Sequence, residues 1–294
     1  MYSKHPNPKP INPKSILTLI LILIIIPQTS FFAANNNKSK KLFELILEKL
    51  KTQDEHITSF SMEVEKEIII TRDHKKYSPT ILSYTFDFQK PQNFKAYISG
   101  GKTDHLLLGN NEYILEYLPK HKEALKTLLT KLPNDLKFQK YQKAISQINI
   151  PYLLLYNELK TLNTDNVEVY EDMEINQEKA YLLKFKSKYK EKDDEFCLWF
   201  HKTKFSILKT MIKGILDERP YLTIEYSNFV NINNNIWLPK KISYKSINVD
   251  KKGEEEEYNL KFKTFTINKI FDKNYFFFTQ QEGINIRTKY AKNK

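Results

Sequence analysis

The chain's 294 residues are enough for one large β domain or two small ones, and with 40% apolar and 13% aromatic residues it can build a core. Its net charge is +12, yet only three of the 47 basic residues are arginine. That scarcity weighs against base-specific nucleic-acid readout through guanidinium forks and leaves a diffuse attraction to anionic surfaces. One cysteine excludes an internal disulfide, and six unclustered glycines exclude a glycine-rich phosphate cradle.

Lys4, Lys9 and Lys14 precede an apolar run from Leu19 to Ile26, extended backwards by Ile16 and Leu17 and ended by Pro27. Phe31-Phe32-Ala33-Ala34 then offers small residues for cleavage. A basic head, a short apolar centre and a small-residue site describe an export signal, and the run is short for a membrane-spanning helix. Residues 1–34 are expected to be a signal peptide or an N-terminal membrane anchor. No cysteine lies nearby, so a lipid-modified N-terminus is excluded. No second domain boundary and no internal repeat follow, and residues 35–294 read as a single domain.

Leu42, Leu45, Ile46 and Leu50 recur at helical spacing and predict a helix over Lys41 to Lys51. Val64 to Ile70 reads as a first strand, with Arg72-Asp73-His74 as its turn. From Leu82 to Pro119 the pattern becomes a four-strand antiparallel meander. Leu82, Tyr84, Phe86 and Phe88 alternate strictly with polar residues; Phe94, Ala96 and Ile98 resume the alternation. Turns at Gly100-Gly101 and Gly109-Asn110-Asn111 separate the rest.

Beyond Pro119 the period changes. Leu125, Leu128, Leu129 and Leu132 sit at i, i+3, i+4 and i+7 and predict a lysine-rich helix with one apolar stripe, stopped at Pro133. Further helical stretches are expected at Leu136 to Ile148 and Pro151 to Leu162. The insertion, about 120–162, would lie over the aromatic face of the sheet. Strands return at Val167 to Tyr170, Tyr181 to Phe185, Phe196 to Phe200 and Phe205 to Ile212, then at Leu222 to Tyr226, Ile242 to Tyr244 and Tyr258 to Phe262. Leu260 and Phe262 share one parity, whereas Phe265 and Ile267 share the other, which predicts a bulge. The acidic run Glu254 to Glu257 reads as a solvated loop, and the basic tail Arg287 to Lys294 as frayed.

Chemistry-bearing patterns are sparse. Six histidines are scattered with no metal-ligand spacing, so no metal and no cofactor is expected. Cys197 lies in an apolar strand and reads as a packed thiol. No nucleophile motif is present, and an enzyme is not expected. Nor is nucleic-acid binding, because the aromatics fall at alternate, core-facing positions. What remains is an apolar face. Tyr84, Phe86, Phe88, Phe94 and Tyr113 belong to it, with Leu115, Tyr117, Phe200, Tyr226 and Phe262. These side chains either fill a core or line a cavity for apolar ligands beneath a helical lid.

Several local patterns carry a family resemblance. They are Phe86 to Phe94 with its central proline; Leu106 to Pro119; the hairpin Phe196 to Thr210; and the closing strands at Tyr221 to Tyr244, with Trp237-Leu238-Pro239, and at Phe265 to Phe276. In this order, from about Lys41 to Phe278, they resemble the periplasmic lipoprotein-carrier family (LolA-like). Asn110-Asn111 stands where that family often has Asp-Gly, and Arg72 precedes the strand where its lid-tethering arginine would sit. The resemblance implies an α+β fold, a curved antiparallel sheet forming an incomplete β-barrel with an inserted helical lid. It implies a non-enzymatic, monomeric carrier of lipoprotein acyl chains or lipids in the periplasm. It also implies as partners an inner-membrane lipoprotein-release complex and an outer-membrane acceptor. The stripe Leu125, Leu128, Leu129 and Leu132 would close the empty cavity and swing away from a filled one. The alternative is an envelope interaction or stress-sensing protein of the same fold with no cargo, and the state of the interior discriminates the two.

Overall fold

In the computed structural model, residues 36–291 are described apart from 92, 102–103, 134–135, 138–139, 141–155, 157–158, 190–191, 215–218, 234–235, 248–253 and 281. The expected signal or anchor and most of the second and third helical stretches lie outside the described residues. A helix, α1 (Asn36–His56), leads into a run of strands. The first half holds β1 (Ser59–Arg72), β2 (Lys75–Lys76), β3 (Thr80–Gln89), β4 (Asn93–Ser99), β5 (His105–Gly109), β6 (Tyr113–Leu118) and β7 (Glu123–Leu128). The second holds β8 (Val167–Ile175), β9 (Glu178–Tyr189), β10 (Lys192–His201), β11 (Ile207–Gly214), β12 (Leu222–Asn233), β13 (Ile236–Ile247), β14 (Glu255–Ile267) and β15 (Asn285–Tyr290).

Among the described residues these strands form one fifteen-stranded sheet, in the order β15-β7-β6-β5-β4-β3-β1-β14-β13-β12-β11-β10-β9-β8, with β2 paired to β1. Strands β1 to β7 and β8 to β14 each run as a meander, the β1–β14 pair joins them, and β15 crosses over to pair with β7. The sheet stays open, ending at β15 and β8, and is an incomplete barrel with a helix on its inner face. Tight turns keep the register. At the β8–β9 hairpin Asn176 and Gln177 both take positive φ (50° and 67°), the twist that a two-residue hairpin requires. The expected bulge is present: Glu63 faces Thr264 while Val64 faces Phe262, so Lys263 is the extra residue.

Alternation sorts the side chains onto two faces. On the inner face Phe43, Ile46 and Leu50 of α1 pack into a continuous core with Phe60, Met62 and Val64 of β1 and Phe86 of β3. Buried on the outer face is a second cluster, Leu108, Tyr113, Leu115, Ala124 and Ile284. A C-terminal strap covers it. Tyr275 Oη donates to Asp87 Oδ2 (2.6 Å), Asn110 Nδ2 donates to the Phe276 carbonyl (3.0 Å), and the Phe278 amide donates to Tyr113 Oη (2.9 Å). Asn110 Oδ1 also accepts from the amides of Glu112 and Tyr113, so this side chain closes the β5–β6 turn and anchors the strap.

Three expectations are corrected here. The segment carrying Leu125 and Leu128 is not helical but forms strand β7, held by β6 on one side and β15 on the other. Its leucine spacing fits a helix, but a short apolar run takes its type from its neighbours. Leu129 and Leu132 follow the strand and are buried in the inner core, whereas Leu128 packs with the outer cluster. The tail is not frayed through its length, because Asn285–Tyr290 is β15 and runs parallel to β7. The acidic run is not a solvated loop: residues 255–257 open β14, and Glu254 is buried with its Oε1 2.7 Å from Arg72 Nε.

Candidate functional site

The inner face begins at its aromatic end. Phe60 is the hub, its ring 5.1 Å from that of Phe88, 5.5 Å from Phe86 and 5.8 Å from Phe265. Beside it opens a cavity of about 80 Å³, walled by Leu50, Phe60, Phe88, Tyr226, Phe229 and Trp237. Its rim is polar and pinned. Lys90 Nζ sits 2.9 Å from Asp54 Oδ2, Gln53 Nε2 donates to the Lys204 carbonyl (3.1 Å), and Lys204 Nζ lies 5.0 Å from the Trp237 ring. An engineered apolar cavity of about 150 Å³ admits benzene. The space here is smaller, and an acyl chain enters only if something moves.

What fills the remainder includes the segment beyond β7. Leu129, Leu132 and Leu159 are buried in the inner core, and Leu136, Tyr156 and Leu162 pack against it. The expected wall residues divide into two groups. Tyr84, Phe86, Phe94, Phe200, Tyr226 and Phe262 lie buried in the inner core, with Phe88 packed against them. Tyr113, Leu115 and Tyr117 do not join them: Tyr113 and Leu115 belong to the outer cluster, and Tyr117 packs there with its ring 5.4 Å from that of Phe278. On β6 the inner face belongs instead to Ile114. Leu50, Ile57, Phe229 and Trp237 were not expected in the wall. Trp237 stood in a recognised segment, but nothing in its spacing marks it as lining a cavity.

Toward the opposite end the inner face holds a few polar groups among its apolar residues. Lys66 continues the inward parity of Phe60, Met62 and Val64, and it is 5% exposed. Its ammonium lies 3.9 Å from the centre of the Tyr258 ring. That ring stacks on Tyr244 at 3.9 Å. Glu256, two residues before Tyr258 and of the same parity, faces Lys66 electrostatically, and Tyr84 lies within the same core. Burial holds the phenols of Tyr84, Tyr244 and Tyr258 protonated well above their usual range, and it raises the Glu256 carboxyl.

Burial lowers the Lys66 ammonium from 10.5 to about 8, with Glu256 opposing the shift. Between those two values the unfolded chain holds a proton that the folded chain has released. Stability should therefore rise with pH through that window. Denaturation midpoints measured between about pH 8 and pH 10.5 should show the rise in wild type and not in Lys66→Met. Equal slopes in the two proteins would show that Lys66 is not the titrating group.

Cys197 and His201 are held within the sheet and its turns. Cys197 is 2% exposed and its thiol is pushed up to about 11, first by burial. His201 accepts through Nδ1 from the amides of Thr203 (3.1 Å) and Lys204 (3.2 Å), which fixes the β10–β11 turn. Among the described residues no group of three His, Cys, Asp or Glu could hold a metal, and no helix is long and apolar enough to cross a membrane.

No family model matches the chain, and no curated protein matches it. Solved structures do. One, described as an outer membrane lipoprotein-sorting protein domain from Vibrio parahaemolyticus, is 14% identical with a TM-score of 0.48; the match covers 83% of this chain and 97% of that one. A LolA superfamily protein from Nitrosomonas europaea is 16% identical with a TM-score of 0.45, covering 79% and 96%. A DUF1329 family protein from Desulfovibrio piger is 12% identical with a TM-score of 0.49, covering 84% and 99%.

Proposed function

We propose that this protein is a non-enzymatic carrier that holds acyl chains of lipoproteins or lipids against the inner face of its sheet and moves them across a bacterial envelope. The observation that supports this reading is the aromatic cavity beside Phe60, set against an apolar inner face on which Leu129, Leu132 and Leu159 are packed. Each methylene taken from water contributes about 0.8 kcal/mol, so one chain on this face supplies substantial affinity. The covering residues Leu129 and Leu132 are buried in the same core and would compete with the ligand. That competition keeps affinity low enough for release. Nothing reactive is needed.

Protein recovered from an envelope fraction should carry lipid in non-denaturing mass spectrometry, and a fluorescent acyl probe should bind. Phe88→Glu, at the cavity wall, should weaken the probe at least tenfold, with far-UV circular dichroism reporting whether the sheet is kept. If wild-type protein neither carries lipid nor binds the probe, the carrier reading is lost. A second reading is favoured by the close filling of the interior, where Phe86, Phe94 and Phe200 have no exposed surface. In that reading the fold is an envelope interaction protein without cargo, and an envelope protein should co-purify in place of lipid.

A further inference from the structure

We infer that β15 is a docking edge for an extended segment of a partner protein with acidic side chains at alternate positions. No residue of β15 or β7 walls the cavity beside Phe60, so this edge serves a cargo carrier and a cargo-free protein alike.

An open sheet has two edges, and proteins blunt them against unwanted pairing. The β8 edge is blunted. Ser39 Oγ of α1 accepts from the Val169 amide (3.3 Å) and donates to the Val169 carbonyl (3.4 Å), which occupies both backbone groups. Lys38 Nζ sits 2.8 Å from Glu171 Oε2, and the register shifts between Tyr170 and Met173, where Asp172 takes a φ of 61°. A helix clip and a bulge leave no straight ladder over this stretch for another chain.

The β15 edge is different. The amides of Asn285 and Ala291 donate to the carbonyls of Lys122 and Leu128 (2.9 and 3.0 Å), and the register between them is unbroken. Backbone groups along a strand alternate in direction, so those of Arg287 and Lys289 also face β7. Ile286, Thr288 and Tyr290 turn their N–H and C=O groups outward, and among the described residues nothing bonds to them. Arg287, Thr288, Lys289 and Tyr290 are exposed.

Charge selects the occupant. Arg287 and Lys289 project from one face of this ladder. On the other stand Lys126 of β7 and Lys131, whose ammonium lies 4.4 Å from the Tyr290 ring. In β7 and β15 only Glu123 is acidic, with its Oε1 3.5 Å from Arg287 Nη2, and the sequence beyond the strand adds Lys292 and Lys294. These charges oppose pairing with a second copy. In a two-fold antiparallel pair centred on Thr288, Arg287 faces the Lys289 of the other copy. Moving the centre by one residue either way sets Arg287 against Arg287 or Lys289 against Lys289, and like charges directly opposite are destabilising. A strand with carboxylates two residues apart meets Arg287 and Lys289 together, while its main chain completes the open ladder.

The probe is a short labelled peptide of alternating Thr and Glu, titrated into the purified full chain and read by fluorescence anisotropy, with alternating Thr and Lys as its counterpart. The Glu peptide should bind, more weakly as salt rises, and the Lys peptide should not. On binding, hydrogen exchange should slow at the amides of Ile286, Thr288 and Tyr290, while those of Arg287 and Lys289, already bonded to β7, change little. Thr288→Pro removes an outward N–H and no bond to β7, so it should weaken binding about tenfold, whereas Thr288→Ala should not. Arg287→Glu/Lys289→Glu should exchange the preference for the Glu peptide for one for the Lys peptide. Equal binding of the two peptides overturns the acidic partner, and binding that leaves the three outward amides unprotected overturns the edge. A dimer of the free protein that Thr288→Pro dissolves assigns the edge to a second copy instead. If the Glu peptide does not bind at low salt, the docking edge is lost while the carrier reading stands.

Discussion

Phe86→Ala should cost about 4 kcal/mol of stability, the range for removing a fully buried phenylalanine ring. Phe86 has no exposed surface, its ring meets Phe60 at 5.5 Å, and its Cα partners are Met62 on β1 and Ala96 on β4. Deleting it empties the middle of the inner face, where β1 and β3 share their packing. Phe86→Glu should be worse, because a carboxylate would enter the same space without a counter-charge. A polar residue here therefore reports on folding before it reports on ligand. Chemical denaturation should show the lowered midpoint, and a loss under about 1 kcal/mol would mean that the ring is not packed as described.

Gly109→Ala should be the second large effect. A Cβ at this position would lie 2.1 Å from Cε1 and 2.6 Å from Cζ of Phe94, its Cα partner across the β4–β5 ladder. Phe94 has no exposed surface, so its ring has nowhere to retreat without displacing the core. Overpacking of this kind costs about 1–3 kcal/mol. Phe94→Leu shortens the ring and should recover some of the loss when combined with Gly109→Ala, although alone it destabilises. The coupling should be positive in a double-mutant cycle read by thermal denaturation. Additive losses would show that ring and glycine do not meet.

The meander from Leu82 to Pro119 was legible because β3 has one wet face over most of its length, so its aromatic residues could only point inward. The bulge at Lys263 was legible for the same reason, as a change of parity between Phe262 and Phe265. On β6 the logic fails. Both faces are covered, Ile114 by the core and Tyr113 and Leu115 by a strap that arrives more than 150 residues later, so the aromatic parity is not the inner one. Alternation reports that two faces differ, not which of them meets the helix. Leu125 to Leu132 misled differently: their spacing fits a helix, but β6 and β15 supply hydrogen bonds to both edges of the segment. The burial of Lys66 was invisible, since one lysine among so many gives no sign of it.

The joint between the two meanders also sets an order of events. β1 is among the first strands to be made, and its neighbour β14 among the last; Glu67 and Asn259, 192 residues apart, share a hydrogen bond at the seam. β7 likewise waits for β15, whose Asn285 is the partner of Glu123. A chain emerging amino-end first must therefore hold two unpaired strand edges open until β14 and β15 appear. Distant pairing of this kind makes folding slow, and exposed edges invite other chains. Newly made protein should spend its most aggregation-prone interval with β1 to β13 already made, and a holding factor that shields strand edges would act there rather than at the start.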